Sequence, residues 1–294
     1  MIIKSLHIFT LSAVTTATAV LCSGVFLSSA EASQLVRGTS YSLDFEQDAR
    51  GNDLIAGDGS LIDNEWAAWG LEITGDSYRA GADDFLLLYD SSKAGKDNDL
   101  RTGTFTRKGV QYTSPSEGNL LILHEDTSGN NLFQPDDEAL GGTITFDFTA
   151  PLTNGSSTYN PSYRGVELGT IRMVDIDNNP TLSGVSFEAF SGNTSLFSRT
   201  AQELGGTSIF AGASAKGDNS IWDFDLSALQ EDETAITRLM VRYEGSGAIA
   251  GLSWSELLGS DKSPAEIPEP ASILGLLTVG LGAAVTKFNR DLKR

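Results

Sequence analysis

The sequence predicts an all-β body: a single two-sheet β-sandwich, jelly-roll-like, with an apolar segment at either end of the chain. Three observations carry that prediction. Apolar and polar residues alternate with a period of two through most of the interior, as strands with one buried and one wet face require. Clusters of Gly, Asn, Asp and Ser separate these runs, which is the chemistry of tight turns. Helical periodicity is confined to a turn or two near Leu226 to Gln230.

Taken in order, the chain begins with Lys4 and a run of apolar and small residues from about Leu6 to Leu27. Ala30-Glu31-Ala32 follows, an A-x-A pattern that signal peptidase would cleave after Ala32, so residues 1–32 are read as a signal peptide. Cys22, the sole cysteine, lies inside that run. Ala19, Val20 and Leu21 before it are in the wrong order for lipidation, and the mature chain is left without thiol or disulfide chemistry.

The body is expected to span residues 33–258. Ile144, Phe146 and Phe148 fall on one face of a strand, as do Val185, Phe187 and Ala189, and Leu239, Val241 and Tyr243. Further strands are expected at Tyr41 to Glu46, Leu71 to Thr74, Phe85 to Tyr89, Leu120 to His124, Ile171 to Asp175, Trp222 to Leu226 and Ala248 to Trp254. No internal repeat interrupts them, so one domain is expected, followed by a linker at 259–267.

The last segment, 268–294, has three parts. Pro268-Glu269-Pro270 fixes an extended, exposed stretch, because two prolines set φ and withhold backbone donors. Ala271 to Thr286 is uncharged and rich in Leu, Gly and Ala. As a helix it would reach about 24 Å, short against a hydrocarbon core of about 30 Å. Lys287, Arg290, Lys293 and Arg294 close the chain, and this basic end should stay on the cytoplasmic side.

Charge excludes some partners. The 294 residues carry 39 acids against 20 bases, a formal net charge of -19. Such a surface repels nucleic-acid phosphates and anionic membranes, so any membrane contact must come from the apolar tail. It also supplies oxygen ligands for a hard cation such as calcium.

Catalytic motifs are sparse. Beyond the signal segment there is a single histidine, His124, which excludes H-E-x-x-H and multi-His zinc sites, and there is no G-x-S-x-G elbow or G-x-x-x-x-G-K-[ST] loop. A pair of carboxylates about 5 to 9 Å apart could hydrolyse a glycoside, but no particular pair is marked. Acid clusters suited to calcium occur at Asp97-Asn98-Asp99, at Asp136-Asp137 and at Asp175 with Asp177; the Asp97 to Asp99 loop is the first choice. The third cluster begins like an EF-hand, but Pro180 stands where the glycine should be. Trp66, Trp69 and Tyr78, beside Asp63-Asn64-Glu65, are candidates for a platform on which sugars stack, with sandwich core as the competing role for Trp69 and Trp254.

The tail resembles the PEP-CTERM sorting signal of Gram-negative bacteria, in which a Pro-Glu-Pro motif, an apolar span and a basic end stand in this order. Parts of the body are similar to an uncharacterised β-rich domain that often precedes such tails, notably Leu88-Tyr89-Asp90-Ser91-Ser92, Leu121-Ile122-Leu123-His124-Glu125-Asp126 and Gly245-Ser246-Gly247-Ala248-Ile249. The resemblance implies export, processing by signal peptidase and an exosortase-like membrane enzyme, and residence in the envelope, at the surface or in an exopolysaccharide matrix. It brings no activity. Three functions are therefore weighed: a non-catalytic structural or adhesive module, a calcium-dependent carbohydrate-binding module, and a carboxylate-dependent glycoside hydrolase.

Overall fold

The structure is a computed structural model that describes residues 35–260, apart from 82–83, 94–96, 126–131, 153–158, 177–181, 183, 215–216 and 231–233. The expected signal peptide, the sorting motif with its apolar span, and Asp177 lie outside the described residues.

The described chain is all-β. Its strands are β1 (Leu35–Leu43), β2 (Leu71–Ser77), β3 (Leu86–Asp90), β4 (Thr104–Arg107), β5 (Val110–Thr113), β6 (Asn119–Leu123), β7 (Gly142–Phe148), β8 (Tyr163–Val174), β9 (Val185–Ser191), β10 (Thr194–Thr200), β11 (Thr207–Phe210), β12 (Ile221–Asp225), β13 (Arg238–Tyr243) and β14 (Ala248–Gly259). One antiparallel sheet runs β11-β12-β8-β14-β6-β3, and β1 also pairs with β14, beyond the end of β6. A second sheet runs β10-β9-β13-β7-β2, and β4 and β5 form a separate hairpin.

Each expected strand has a counterpart, with differences that have physical reasons. The segment expected at Tyr41 to Glu46 is the end of β1, which starts at Leu35 and stops at Leu43 because Phe45 turns the backbone to φ 61°. Pairing with β14 carries β8 back to Tyr163 and β14 on to Gly259, beyond the expected end of the body at 258. Nothing in the pattern of residues marks β4, β5, β10 or β11. These strands are mostly exposed, with Phe105 in β4 and Phe197 in β10 as their buried anchors, so they lack the two-sided contrast that alternation detects.

The two large sheets share one core. Leu121, Leu123, Ile171, Met173, Leu252 and Trp254 from the first meet Ile73, Ile144, Phe146, Phe187, Leu239 and Val241 from the second. The first sheet is buried on its other face as well. Leu87, Tyr89, Leu120 and Ile122 point away from the main core and join Val174, Ile221, Ala248 and Ala250 beneath Leu100. That double burial explains why Leu86 to Tyr89 and Leu120 to Leu123 read as unbroken apolar runs. Burying Leu100 fully contributes roughly 1.5–3 kcal/mol and fastens the segment between β3 and β4 over this outer face. The fastened segment carries Asp97, Asn98 and Asp99.

Candidate metal centre

The register brings several connections to one end of the seven-stranded sheet. Val174, the last residue of β8, pairs with Ile221 and Ala248, the first residues of β12 and β14, and Ile249 pairs with Leu121 in the middle of β6. His124 follows β6 and forms an isolated bridge with Asp137. Asp175 follows β8 with φ 57°, a left-handed turn that Asp tolerates better than most residues. Ser246 and Gly247 make the turn from β13 into β14. Onto this end the cover segment lowers Asp97, whose carbonyl accepts a hydrogen bond from the Tyr89 hydroxyl.

Asp97, Asp136 and Asp137 each place a carboxylate oxygen within 4.8 Å of the other two. Asp175 joins them through Ser246, whose hydroxyl lies within hydrogen-bond reach of both Asp137 Oδ2 and Asp175 Oδ2, 2.9 Å from the latter, with one proton to share between them. The Gly247 N–H also donates to Asp137 Oδ2, at 2.8 Å. A side chain at position 247 would press on the Tyr243 ring, since an added Cβ would sit 2.7 Å from it, so glycine lets the turn approach.

Segment 136–138 is pinned from below. Glu138 N–H donates to Leu123 O at 2.8 Å and Glu125 N–H to Asp136 O at 2.9 Å. The Arg79 guanidinium grips Glu138 through Nε and Nη2 and reaches Glu125 at 2.6 Å. Burial works to raise the Glu138 carboxyl, but Arg79 and the Leu140 N–H outweigh it and hold the group below its ordinary value.

Electrostatics at Asp137 run the other way. Only 5 % exposed, it receives neutral donors alone, and among the described residues no cationic side chain touches it. Burial first, then the facing Asp97 carboxyl and the Asp175 charge, push its carboxyl well above the ordinary range. Nearby, Tyr243 is 3 % exposed and its hydroxyl has no hydrogen-bond partner among the described residues. Burial and then the negative charge of Asp137 raise that phenol. A buried carboxylate crowded by others is stable only with a proton or a cation between them. The donors here are carboxylate and hydroxyl oxygens, the set that hard divalent cations take.

Sequence-marked residues divide sharply. Asp97, Asp136, Asp137 and Asp175, drawn from three separate acid clusters, come together. The Asn98 carbonyl accepts from the Asn219 amide at 2.9 Å. Asp99 turns aside to Arg107 at 2.5 Å. His124 is 1 % exposed, with Nδ1 3.1 Å from Asp136 O, and so helps to place that segment. The chain matches no family model and no curated protein.

The structure corrects the aromatic platform. Trp66 is fully buried, its indole N–H donating to Gln47 O at 2.9 Å and its ring meeting Phe45 in a T-shaped contact. Trp69 is half-buried against Tyr41 and Trp254, with ring centres 5.4 and 6.4 Å away. Only Tyr78 is exposed. Closeness in sequence suggests one shared face for the three aromatics, but a 3-10 turn at Ala67–Trp69 turns the first two into the core.

Sequence reasoning missed Ser246, Gly247, Tyr243 and Asn219. Asn219 is wholly buried, gives its backbone N–H to Asp175 Oδ1 at 3.1 Å, and donates its amide to Asn98 O and Arg101 O. Its φ of 64° is a turn conformation common for Asn, but Asp218-Asn219 looks like any surface turn in the sequence.

Two acid pairings bear on hydrolysis. The cluster oxygens lie within 4.8 Å of one another, closer than the roughly 5–5.5 Å of retaining or 6.5–9.5 Å of inverting glycosidases. Glu117 and Asp223 line a groove of about 530 Å3 on the seven-stranded sheet, but Arg172 bonds to both, at 3.2 and 2.7 Å. Those acids meet a guanidinium instead of facing each other across open space.

Proposed function

We propose that this chain is an exported, non-catalytic β-sandwich module, jelly-roll-like in its two-sheet layout, that serves a structural or adhesive role at the cell surface or in the extracellular matrix, and that a calcium ion staples its loops. One observation carries the calcium reading: Asp97 and the Asp136-Asp137 pair, from separate stretches of the chain, converge with Asp175 beside a buried phenol, and no cationic side chain among the described residues answers Asp137. Calcium would draw on the carboxylates of Asp97, Asp136 and Asp137, with Asp175 and backbone carbonyls within the reach of a six- to eight-coordinate ion. It would tie the cover segment to the ends of β6 and β8, so its work is mechanical.

Export rests on the sequence alone: Lys4 with the apolar run, Ala30-Glu31-Ala32, and the Pro268-Glu269-Pro270 tail with its span and basic end. Signal peptidase and an exosortase-like enzyme would be the processing partners.

Calorimetric titration of the purified protein with calcium tests the first part. One ion per chain is expected, lost in an Asp97→Asn, Asp137→Asn double variant; equal uptake by that variant sinks the assignment. Mass spectrometry of the two ends of the mature protein tests the second, with an N-terminus at Ser33 and a tail altered near Pro268 expected. A native chain that keeps residues 1–32 and 268–294 and stays in the cytosol would overturn it.

A further inference from the structure

Beside the acid cluster lies a recess of about 470 Å3, walled by Asp97, Asp99, Arg101, Phe105, Arg107 and Lys108. Its arginines are in different states. Arg107 is spoken for: its guanidinium binds Asp99, Asp218 at 2.5 Å and the Asn219 side-chain oxygen at 3.0 Å. Arg101 is not. Its guanidinium carbon stands 5.8 Å from the centre of the Phe105 ring, which stacks on Tyr112. Its Nε is buried, and among the described residues it has no hydrogen-bond partner and no carboxylate pairs with it. A guanidinium is charged at every physiological pH, so a donor stripped of water here is short of an anionic acceptor.

We propose that this recess binds the carboxylate of an acidic saccharide, with Arg101 as the fork that meets it, and that the cation at the neighbouring acid cluster is required. The proposal rests on the calcium reading and goes on to name the ligand. A planar fork on an aromatic face matches a carboxylate in two parallel bonds, and Lys108 at the rim adds a second positive charge. The volume falls within the range of small-molecule sites, and the walls, Phe105 apart, are charged or polar, which suits a hydroxylated ring better than an apolar one.

The dependence on cation follows from the same walls. Asp97 borders the recess and, unlike Asp99, which Arg107 answers, repels an anion while its charge is uncompensated. A divalent ion on Asp97 removes much of that repulsion. Arg101 is also tied mechanically to the cluster, because Asn219 holds its carbonyl at 2.9 Å while giving its own N–H to Asp175. Linkage then makes the effect reciprocal: the saccharide must tighten calcium by the factor by which calcium tightens the saccharide.

The test is titration of the purified protein with a glucuronate-containing tetrasaccharide, its carboxyl-reduced neutral counterpart and inorganic sulfate, each in calcium and in chelator. Expected is binding of the acidic sugar in calcium, weakened about tenfold or more in chelator, with no binding of the neutral sugar. Arg101→Gln should abolish sugar binding yet bind calcium as the parent does, which shows that it is folded; Lys108→Gln should weaken the sugar and spare calcium. Sugar binding unchanged by Arg101→Gln or by chelator, equal binding of the neutral sugar, or sulfate binding as tight as the sugar overturns the proposal. If the parent binds calcium but no acidic sugar, this inference alone fails. If it binds no calcium, the reading beneath it fails as well.

Discussion

Replacing Asp137 by asparagine should move stability in opposite directions with and without calcium. The swap keeps shape and removes a charge. The new amide oxygen could still accept from Ser246 and from the Gly247 N–H, which now meet Asp137 Oδ2, and the amide N–H2 could donate to the facing Asp97. In chelator at neutral pH the parent must bury a carboxylate against Asp97 and Asp175, or hold a proton that solvent would take. Relief of that conflict should make the variant as stable as the parent or up to about 2 kcal/mol more stable. In calcium the ranking should reverse. At a free concentration 100 times the dissociation constant, one bound ion adds about 2.7 kcal/mol. For a body of 150–250 residues each kcal/mol raises Tm by roughly 2–4 °C, so the parent should gain about 5–11 °C and the variant little of it. Thermal unfolding followed by near-ultraviolet circular dichroism, in EDTA, magnesium and calcium, reads both effects. A parent unmoved by calcium, or a variant that gains as much, refutes the cation centre. A variant clearly less stable in EDTA refutes the argument that Asp137 is strained without a cation.

Three other outcomes follow from the same geometry. In chelator the native chain holds the Asp137 proton over a pH range in which the unfolded chain has released it; this contribution is complete below the ordinary Asp value and is lost as pH rises through the raised native value, so the parent-minus-Asp137→Asn stability difference should fall across that window, and a flat or rising difference in urea titrations would contradict the sign. Gly247→Ala, whose methyl would meet the Tyr243 ring at 2.7 Å, should cost about 1–3 kcal/mol in urea unfolding and weaken calcium binding as the N–H leaves Asp137. Trp66→Ala should cost about 3–5 kcal/mol because its indole is fully buried, whereas Tyr78→Ala should stay within about 0.5 kcal/mol; comparable losses would put Trp66 back at the surface.

Legibility in the sequence followed burial contrast. Strands such as β7, with Ile144, Phe146 and Phe148 inward and Thr145 and Asp147 between them half-buried, announce themselves by alternation. Leu86 to Tyr89 and Leu120 to Leu123 were legible as apolar runs, though not as strands sealed on both faces, because that depends on Leu100 arriving from elsewhere. The edge strand β10 and the hairpin β4–β5 were silent: an exposed strand draws its definition from its neighbour's hydrogen bonds, not from its own pattern. Trp66 was misleading for a related reason, since an aromatic beside acids reads alike whether its ring points out or in.

By itself the sequence determined the all-β class, most strand positions, the scarcity of catalytic motifs, and the identity of the acid clusters at residues 97–99, 136–137 and 175. Each of those rests on composition or on spacing within a few residues, which local chemistry sets. The tertiary structure alone decided which acids meet. Asp97 and Asp137 are brought face to face by antiparallel register and by a cover segment anchored through Leu100, while Asp99, two residues from Asp97, is turned to Arg107. Ser246, Asn219 and Arg101 acquire their roles in the same way. A carboxylate in a turn is ordinary; three of them within 4.8 Å, one with water excluded and only neutral donors at hand, is a condition that only the packed chain can impose.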